Sequence, residues 1–310
     1  MKFSVTILGS SSALPTSKRF PTAHLLNVDE RFYLIDCGEG TQIQLRRFKQ
    51  PFNKVRHIFI SHLHGDHIFG IFGLISSLEL LGKKDALHIY AHKEFEKILT
   101  FYQQFYDRKI SFQIIHHIID YKQITVIHED KKIRVTSFPL IHKIPVAGFV
   151  FKEHQRERNI KKEAVEKYRI SIKKIHEIKG GSDYISENGI VIPNKEITLP
   201  PYKSRSYAFI TDTISRESVI PVIENADLLY HEATFRHEEL NLARNTCHST
   251  GLQAAKIAKK SKTKKLLIGH FSARYKDINP IVEEAKSVFP ETIAVNDGDI
   301  YNVPLKREAE

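Results

Sequence analysis

Residues 61–67 read Ser-His-Leu-His-Gly-Asp-His and follow directly on the apolar run 55–60. Three imidazoles and a carboxylate within six residues cannot be packed as core. Each polar side chain buried without a partner costs on the order of 1–3 kcal/mol. As metal ligands they are coherent, since nitrogen and carboxylate oxygen without sulfur suit a catalytic zinc-type site that keeps a position for water. The step of two from His62 to His64 points both side chains the same way from an extended segment. Gly65 then permits a sharp turn that presents Asp66 and His67 from a helix start, where Asp66 meets the positive end of the helix dipole. Such a segment has to stand at a strand end, in a fold that can bring further ligands to it.

The rest of the sequence supplies the strands. Short β-branched and aromatic runs alternate with helical patterns, which argues for a layered α/β protein. Strands are predicted at residues 3–8, 23–28, 32–36, 55–60, 87–91, 133–138, 147–151, 207–211, 227–230, 266–269 and 293–295. Helices are predicted at 40–48, 68–81, 93–105, 250–261 and 280–288. Three more ligand candidates stand at the C-terminal ends of such strands, where α/β sheets gather their ligands. They are His142 after 135–141, Asp212 after 207–211 and His270 after 266–269. With residues 62–67 they complete two tetrahedral or five-coordinate shells. His231, after 228–230, competes for a place and reads as support behind the ligands. The other histidines, such as His57, His88, His92, His116, His117, His128, His154 and His176, lack such placement and read as structural.

Composition narrows the setting. The chain has 310 residues, 41% hydrophobic and 27% charged, enough for one large core or at most two domains. No apolar run approaches the roughly 20 residues of a membrane span, and residues 3–8 are too short for a signal-peptide core. Cys37 and Cys247 are far apart and form no C-x-x-C pair, which fits a reducing, cytoplasmic setting. Lys plus Arg number 47 against 36 Asp plus Glu, a formal charge of +11. That balance favours polyanionic partners, although a solvated basic surface with no partner accounts for it equally. From residue 152 to 179 Lys and Arg outnumber Glu, and Gly180-Gly181 and Leu199-Pro200-Pro201 follow. Residues 152–204 read as a basic surface excursion between two α/β halves, the alternative being a plain amphipathic helix on the flank.

His62-x-His64-x-Asp66-His67 followed by His142, Asp212 and His270 resembles the metallo-β-lactamase-fold signature. More local pieces resemble the ribonuclease Z family, endonucleases that trim the 3′ end of precursor tRNA. These are Leu8-Gly9-Ser10, Ala13-Leu14-Pro15-Thr16, Asp36-Cys37-Gly38-Glu39-Gly40-Thr41, Thr211-Asp212-Thr213, His231-Glu232-Ala233-Thr234-Phe235, Cys247-His248-Ser249-Thr250 and His270-Phe271-Ser272-Ala273-Arg274-Tyr275. The resemblance implies a single four-layer αββα metallo-hydrolase domain over residues 1–310, two zinc ions (Zn2+) per subunit, and a homodimer acting on precursor tRNA. It implies that His62, His64 and His142 hold one zinc, that Asp66, His67 and His270 hold the other, and that Asp212 bridges them. A carboxylate can bridge two cations and reduce their repulsion; an imidazole cannot. Paired metals lower the pKa of a shared water and clamp the attacking and leaving oxygens of a phosphodiester. Asp66 would orient that water and take its proton. His248, backed by Glu232, would protonate the leaving 3′-oxygen, unless the pair merely braces a loop.

Two departures from the family pattern accompany these matches. Lys18-Arg19 is followed by Phe20 where the family carries an Arg-Asn pair, and no Gly-Pro-rich arm is present, the Lys- and Arg-rich residues 152–204 standing in its place. A small-molecule hydrolase of the same fold, for cyclic nucleotides, thioesters or lactams, would explain the metal cluster equally well. It would not explain the +11 charge or the His-Glu-Ala-Thr and His-Ser-Thr pieces. A non-catalytic RNA-binding scaffold would be expected to have lost ligands, and none of the seven is missing.

Overall fold

The apolar runs of the sequence become strands covered on both faces. A computed structural model describes residues 1–106 and 110–308. In chain order its strands are β1 Phe3–Gly9, β2 Ala23–Val28, β3 Arg31–Ile35, β4 Val55–Phe59, β5 Leu87–Ala91, β6 Ile114–Ile118, β7 Thr125–Glu129, β8 Ile133–Pro139, β9 Ala147–Glu153, β10 Asn159–Ile160, β11 Tyr184–Ile185, β12 Val191–Ile192, β13 Thr198–Leu199, β14 Ser206–Ile210, β15 Leu228–Glu232, β16 Leu266–Gly269, β17 Thr292–Ala294 and β18 Ile300–Asn302. The chain divides into two units, one of Met1–Phe151 with Ser206–Val303, the other of Lys152–Arg205 with the segment that begins at Pro304.

The first unit contains two seven-stranded sheets, ordered β18-β1-β2-β3-β4-β5-β6 and β17-β16-β15-β14-β9-β8-β7. Alternation along each strand assigns its faces. In β3, Tyr33 and Ile35 enter the core between the sheets, while Phe32 and Leu34 turn out toward helices. In β16, Leu267 faces inward, and Leu266 and Ile268 face the opposite helix layer. The helices Thr41–Arg47, Gly70–Leu80 and Phe95–Tyr106 bury Leu45, Leu74 and Phe95 against the first sheet. Gly251–Lys260 and Asn279–Lys286 bury Ala254, Ala258 and Ile281 against the second. The result is the four-layer αββα sandwich. Each fully buried Leu, Ile or Phe contributes about 1.5–3 kcal/mol, so three apolar layers hold the unit while both cysteines stay free.

Most predicted elements appear with their ends moved by one or two residues. Seven strands fall outside the predicted set: β6, β7 and β18 of the two large sheets, and the two-residue β10, β11, β12 and β13 of the second unit. Ile-Ile-His-His-Ile in β6 does not alternate, because His117 is taken up by a 2.9 Å contact with Nδ1 of His88 on the neighbouring strand.

The second unit has its own apolar cluster, Ala164, Ile170, Ile178, Tyr184, Ile192 and Ile197. Around it lie the helices Lys162–Lys167 and Ile172–Lys179 and the strand pairs β10–β13 and β11–β12. The ends of the 152–205 segment are joined by a buried ion pair, Arg205 Nε and Nη2 each donating to Glu153 at 2.8 Å. A two-pronged guanidinium–carboxylate pair of this kind also fixes orientation.

Candidate metal centre

Register decides which side chains meet. In the parallel ladder β14–β15–β16, Ile210 pairs with His231 and Glu232 with Gly269, so Asp212, Glu232 and His270 leave the sheet at one rim. In the other sheet Ile35 lies opposite Phe59 on parallel strands, and Asp36 and residues 61–67 leave together. The C-terminal rim of parallel strands is where open α/β sheets hold ligands. The turns there are tight: Asp36, Asp212 and His270 have φ of 55°, 42° and 60°, and Cys247, which ends the helix Leu240–Thr246, has 60°. Non-glycine residues accept such strain where it aims a functional side chain.

All seven predicted ligands converge, and Asp212 divides them. Its Oδ1 lies 3.1 Å from Nε2 of His270 and 3.3 Å from Nε2 of His67. Its Oδ2 lies 3.6 Å from Nε2 of His62 and 3.9 Å from Nε2 of His142. Asp66 Oδ2 stands 3.3 Å from His67 Nε2 and 3.8 Å from His270 Nε2. His64 turns Nδ1 inward, 3.0 Å from His62 Nε2 and 3.3 Å from His142 Nε2. Two groups result, His62, His64, His142 and Asp212, and Asp66, His67, His270 and Asp212, with ligand atoms within 4.8 Å of one another in each.

Oxygens behind four of the imidazoles determine which nitrogen faces the centre. His142 Nδ1 donates to the Cys247 carbonyl at 3.0 Å, and His67 Nδ1 to Asp36 Oδ2 at 2.7 Å. Ser61 Oγ gives its proton to Asp36 at 2.8 Å and therefore accepts from His62 Nδ1 at 3.0 Å. Thr234 Oγ1 gives its proton to Glu232 Oε2 at 2.5 Å and accepts from His270 Nδ1 at 2.9 Å. Each arrangement leaves Nε2 with a lone pair, the form a metal needs. None of these partners is singled out by the sequence reading above. Asp36 ends an apolar strand, so the placement that singles out Asp212 would have found it; Ser61, Thr234 and Cys247 lie in the motifs given above, but neither type nor spacing gives them a role of their own.

Two expectations change. Gly65 is absent from the left-handed region, and its smallness serves another end, because a Cβ there would lie 2.2 Å from the Phe69 ring. His231 falls on the helix-covered face of β15 with Leu229 and donates Nδ1 to the Glu232 carbonyl at 2.7 Å, away from the ligands.

The residues fit a cation on their own chemistry. Nε2 of His67 and of His270 are buried and make no hydrogen bond within the described structure. Burial would lower the His67 imidazole, but Asp66, Asp212 and Asp36 together lift it well above its ordinary value, a sign of concentrated negative charge. Burial would likewise raise Asp212, yet His270, His67 and His62 hold it well below the carboxylate range. Burial lowers His62, His64 and His142, which favours their neutral, ligating form.

Beside the ligands, His248 Nδ1 bonds Glu232 Oε1 at 3.0 Å, and its ring centroid lies 5.1 Å from that of His142 and 5.5 Å from that of His270. Burial opposes the charged imidazole, but Glu232 outweighs it and lifts His248 to about 9. The backbone holds the pair: Thr250 and Gln253 form a reciprocal cap on the next helix, and His248 N donates to Ala243 O at 2.7 Å. Arg19 is committed nearby, donating to Ser10 and the Val295 carbonyl at 2.7 Å each.

A family model described as Anti-Pycsar protein Apyc1 matches residues 3–289. A protein named Ribonuclease Z from Bacteroides fragilis is 44% identical over 292 residues, covering 94% of this chain and 96% of its own. A Ribonuclease Z from Porphyromonas gingivalis is 45% identical over 295 residues, covering 95% and 97%. The crystal structure of human tRNase Z, short form, matches with a TM-score of 0.70 at 24% identity, covering 97% of this chain and 99% of that one.

Proposed function

The chain belongs to the ribonuclease Z family and to the family described as Anti-Pycsar protein Apyc1, and from that premise we propose that it removes the 3′ trailer of precursor tRNA as a zinc-dependent endoribonuclease. Hydrolysis leaves a 3′-hydroxyl on the tRNA. The observation that supports this most is the division of Asp212's two oxygens between two ligand groups, with a charged histidine–glutamate pair alongside. A site that only stored metal would have no use for that pair.

In this reading His62, His64, His142 and Asp212 hold one zinc, and Asp66, His67, His270 and Asp212 hold the other. Bound there, the cations supply Lewis acidity and neutralise charge on the phosphodiester. Asp66 orients the attacking water and takes its proton. His248, held by Glu232 through Nδ1, keeps Nε2 as the donor to the leaving 3′-oxygen. The basic surface draws the RNA, in keeping with the +11 formal charge. The protein works in this reading as a cytoplasmic homodimer; among the described residues no helix is long and apolar enough to cross a membrane.

A second reading, hydrolysis of a small phosphodiester, rests on the same two ligand groups, which would serve a phosphodiester of any size. Incubating the zinc-loaded protein with a trailer-bearing precursor tRNA and mapping both product ends tests the first reading. A cut at the trailer junction leaving a 3′-hydroxyl supports it. An intact precursor in the presence of fully loaded protein removes it.

A further inference from the structure

Thr234 stands just past the end of β15, beside the point where His270 leaves β16, and is 1% exposed. Its hydroxyl touches two groups that belong to different parts of the chemistry. Oγ1 lies 2.5 Å from Glu232 Oε2 and 2.9 Å from His270 Nδ1. Glu232 already receives the Thr213 amide at 2.8 Å, the Thr234 amide at 3.3 Å and His248 Nδ1 at 3.0 Å. A carboxylate surrounded by donors has no proton to offer, so the single Thr234 proton points to Glu232 and the oxygen lone pair receives His270 Nδ1–H. One hydroxyl thereby sets the His270 tautomer and completes the shell of Glu232.

Resting on the proposed tRNA-processing reading, we propose that Thr234 is a positioning residue whose hydroxyl couples the metal-facing His270 to the Glu232–His248 pair. A continuous chain of hydrogen bonds, His270–Thr234–Glu232–His248, runs through it. Without the hydroxyl, His270 loses the acceptor that keeps its proton on Nδ1, and Nε2 is no longer reserved for the cation. Glu232 at the same time loses its shortest bond and with it part of the restraint on His248.

Thr234→Ala and Thr234→Ser differ from each other by the hydroxyl alone, so their contrast separates the bond from the packing of the methyl group. Zinc affinity is read by competition with a chromophoric chelator, and kcat and KM on precursor tRNA are read at saturating zinc. Removing an outer partner of a metal ligand typically weakens metal affinity about 10–100-fold. That weakening is expected for one of the zinc equivalents in Thr234→Ala, together with a fall in kcat of about 10-fold at near-constant KM, and recovery of both in Thr234→Ser. Thr234→Val, which keeps the shape, serves as a check on folding by melting of the zinc-free protein. Wild-type zinc affinity in Thr234→Ala, or equal damage in the Ala and Ser variants, overturns the proposal. The zinc titration reads Thr234 even if the wild-type protein leaves precursor tRNA uncut, an outcome that would remove the tRNA reading alone.

Discussion

Nε2 of His270 lies 3.1 Å from Oδ1 of Asp212 and yet makes no hydrogen bond, while Nδ1 of the same ring lies 2.9 Å from Thr234 Oγ1. Two lone pairs facing each other at that distance repel unless a cation lies between them. The other oxygen of Asp212 faces His62 and His142, so one carboxylate serves both ligand groups. Wild-type protein is expected to carry roughly two zinc-type ions per chain. Asp212→Ala should lower that content and weaken what remains, as measured by elemental analysis after dialysis. Undiminished content in the variant would contradict a bridging role.

Glu232 lifts His248 to about 9 against the cost of its burial, which favours the proton-carrying form that a general acid needs. His248→Ala is expected to lower turnover of precursor tRNA by about 100-fold or more, the usual scale for a lost general acid. Affinity for the RNA should change far less, since phosphates bound elsewhere dominate it. Cleavage by the variant at the wild-type rate across a broad pH range would show that the Glu232–His248 pair only braces a loop.

The convergence of the seven side chains is legible in the sequence for a physical reason. Each of His142, Asp212 and His270 ends an apolar run, and strand direction alone delivers such residues to one rim. The layer order follows from the same runs, since strands such as β3 and β16 are apolar on both faces. What surrounds the ligands is illegible. Ser61, Thr234 and the Cys247 carbonyl act through hydrogen bonds to imidazole Nδ1, and only the folded register brings them there. The edge strand β7 escapes a sequence reading because its exposed Thr125 and Val126 give no buried stripe to detect. Residues 152–204, which charge and turn signals mark as an excursion, hold an apolar cluster spread over segments too short to show periodicity.

The second unit carries Lys161, Lys162, Lys167, Arg169, Lys173 and Lys174 within a short span. Lys162 and Lys173 are exposed, while Lys174 pairs with Glu177 at 2.8 Å and Lys161 donates to the Glu196 carbonyl at 2.8 Å. If this unit grips RNA, replacing Lys161, Lys162, Lys173 and Lys174 by Ala should weaken precursor tRNA binding. It should also flatten the log-affinity against log-salt slope by about 0.7–0.9 for each phosphate that is no longer neutralised. Hydrolysis of a small phosphodiester should be unaffected. An unaltered salt slope would return these lysines to the role of a solvated surface.

Acid stability reports on another set of histidines. Burial, then His128 and His88, push His57 down to about 3 from 6.5. Between those pH values the unfolded chain binds a proton that the folded chain refuses. Its contribution is therefore intact above pH 6.5 and is lost progressively as pH falls toward 3, by at most about 1.4 kcal/mol per unit. His57→Phe keeps a ring stacked on Tyr33 and His88, whose centroids lie 5.6 Å and 5.0 Å away, and removes the titration. The variant should unfold at lower pH than wild type when followed by circular dichroism. Coincident acid midpoints would assign the acid sensitivity to other groups.

Choice of substrate separates a tRNA-processing nuclease from a small-molecule phosphodiesterase of the same fold. Zinc-loaded protein is given a trailer-bearing precursor tRNA and a small phosphodiester at matched concentration, and kcat/KM is measured for each. The metal centre and the Glu232–His248 pair would serve either phosphodiester, whereas only the RNA is long enough to engage the basic surface. Precursor tRNA is predicted to be turned over by orders of magnitude more efficiently, because phosphate contacts remote from the cut are open to it alone. Equal or faster turnover of the small phosphodiester would contradict this and leave a small-molecule phosphodiesterase of the same fold.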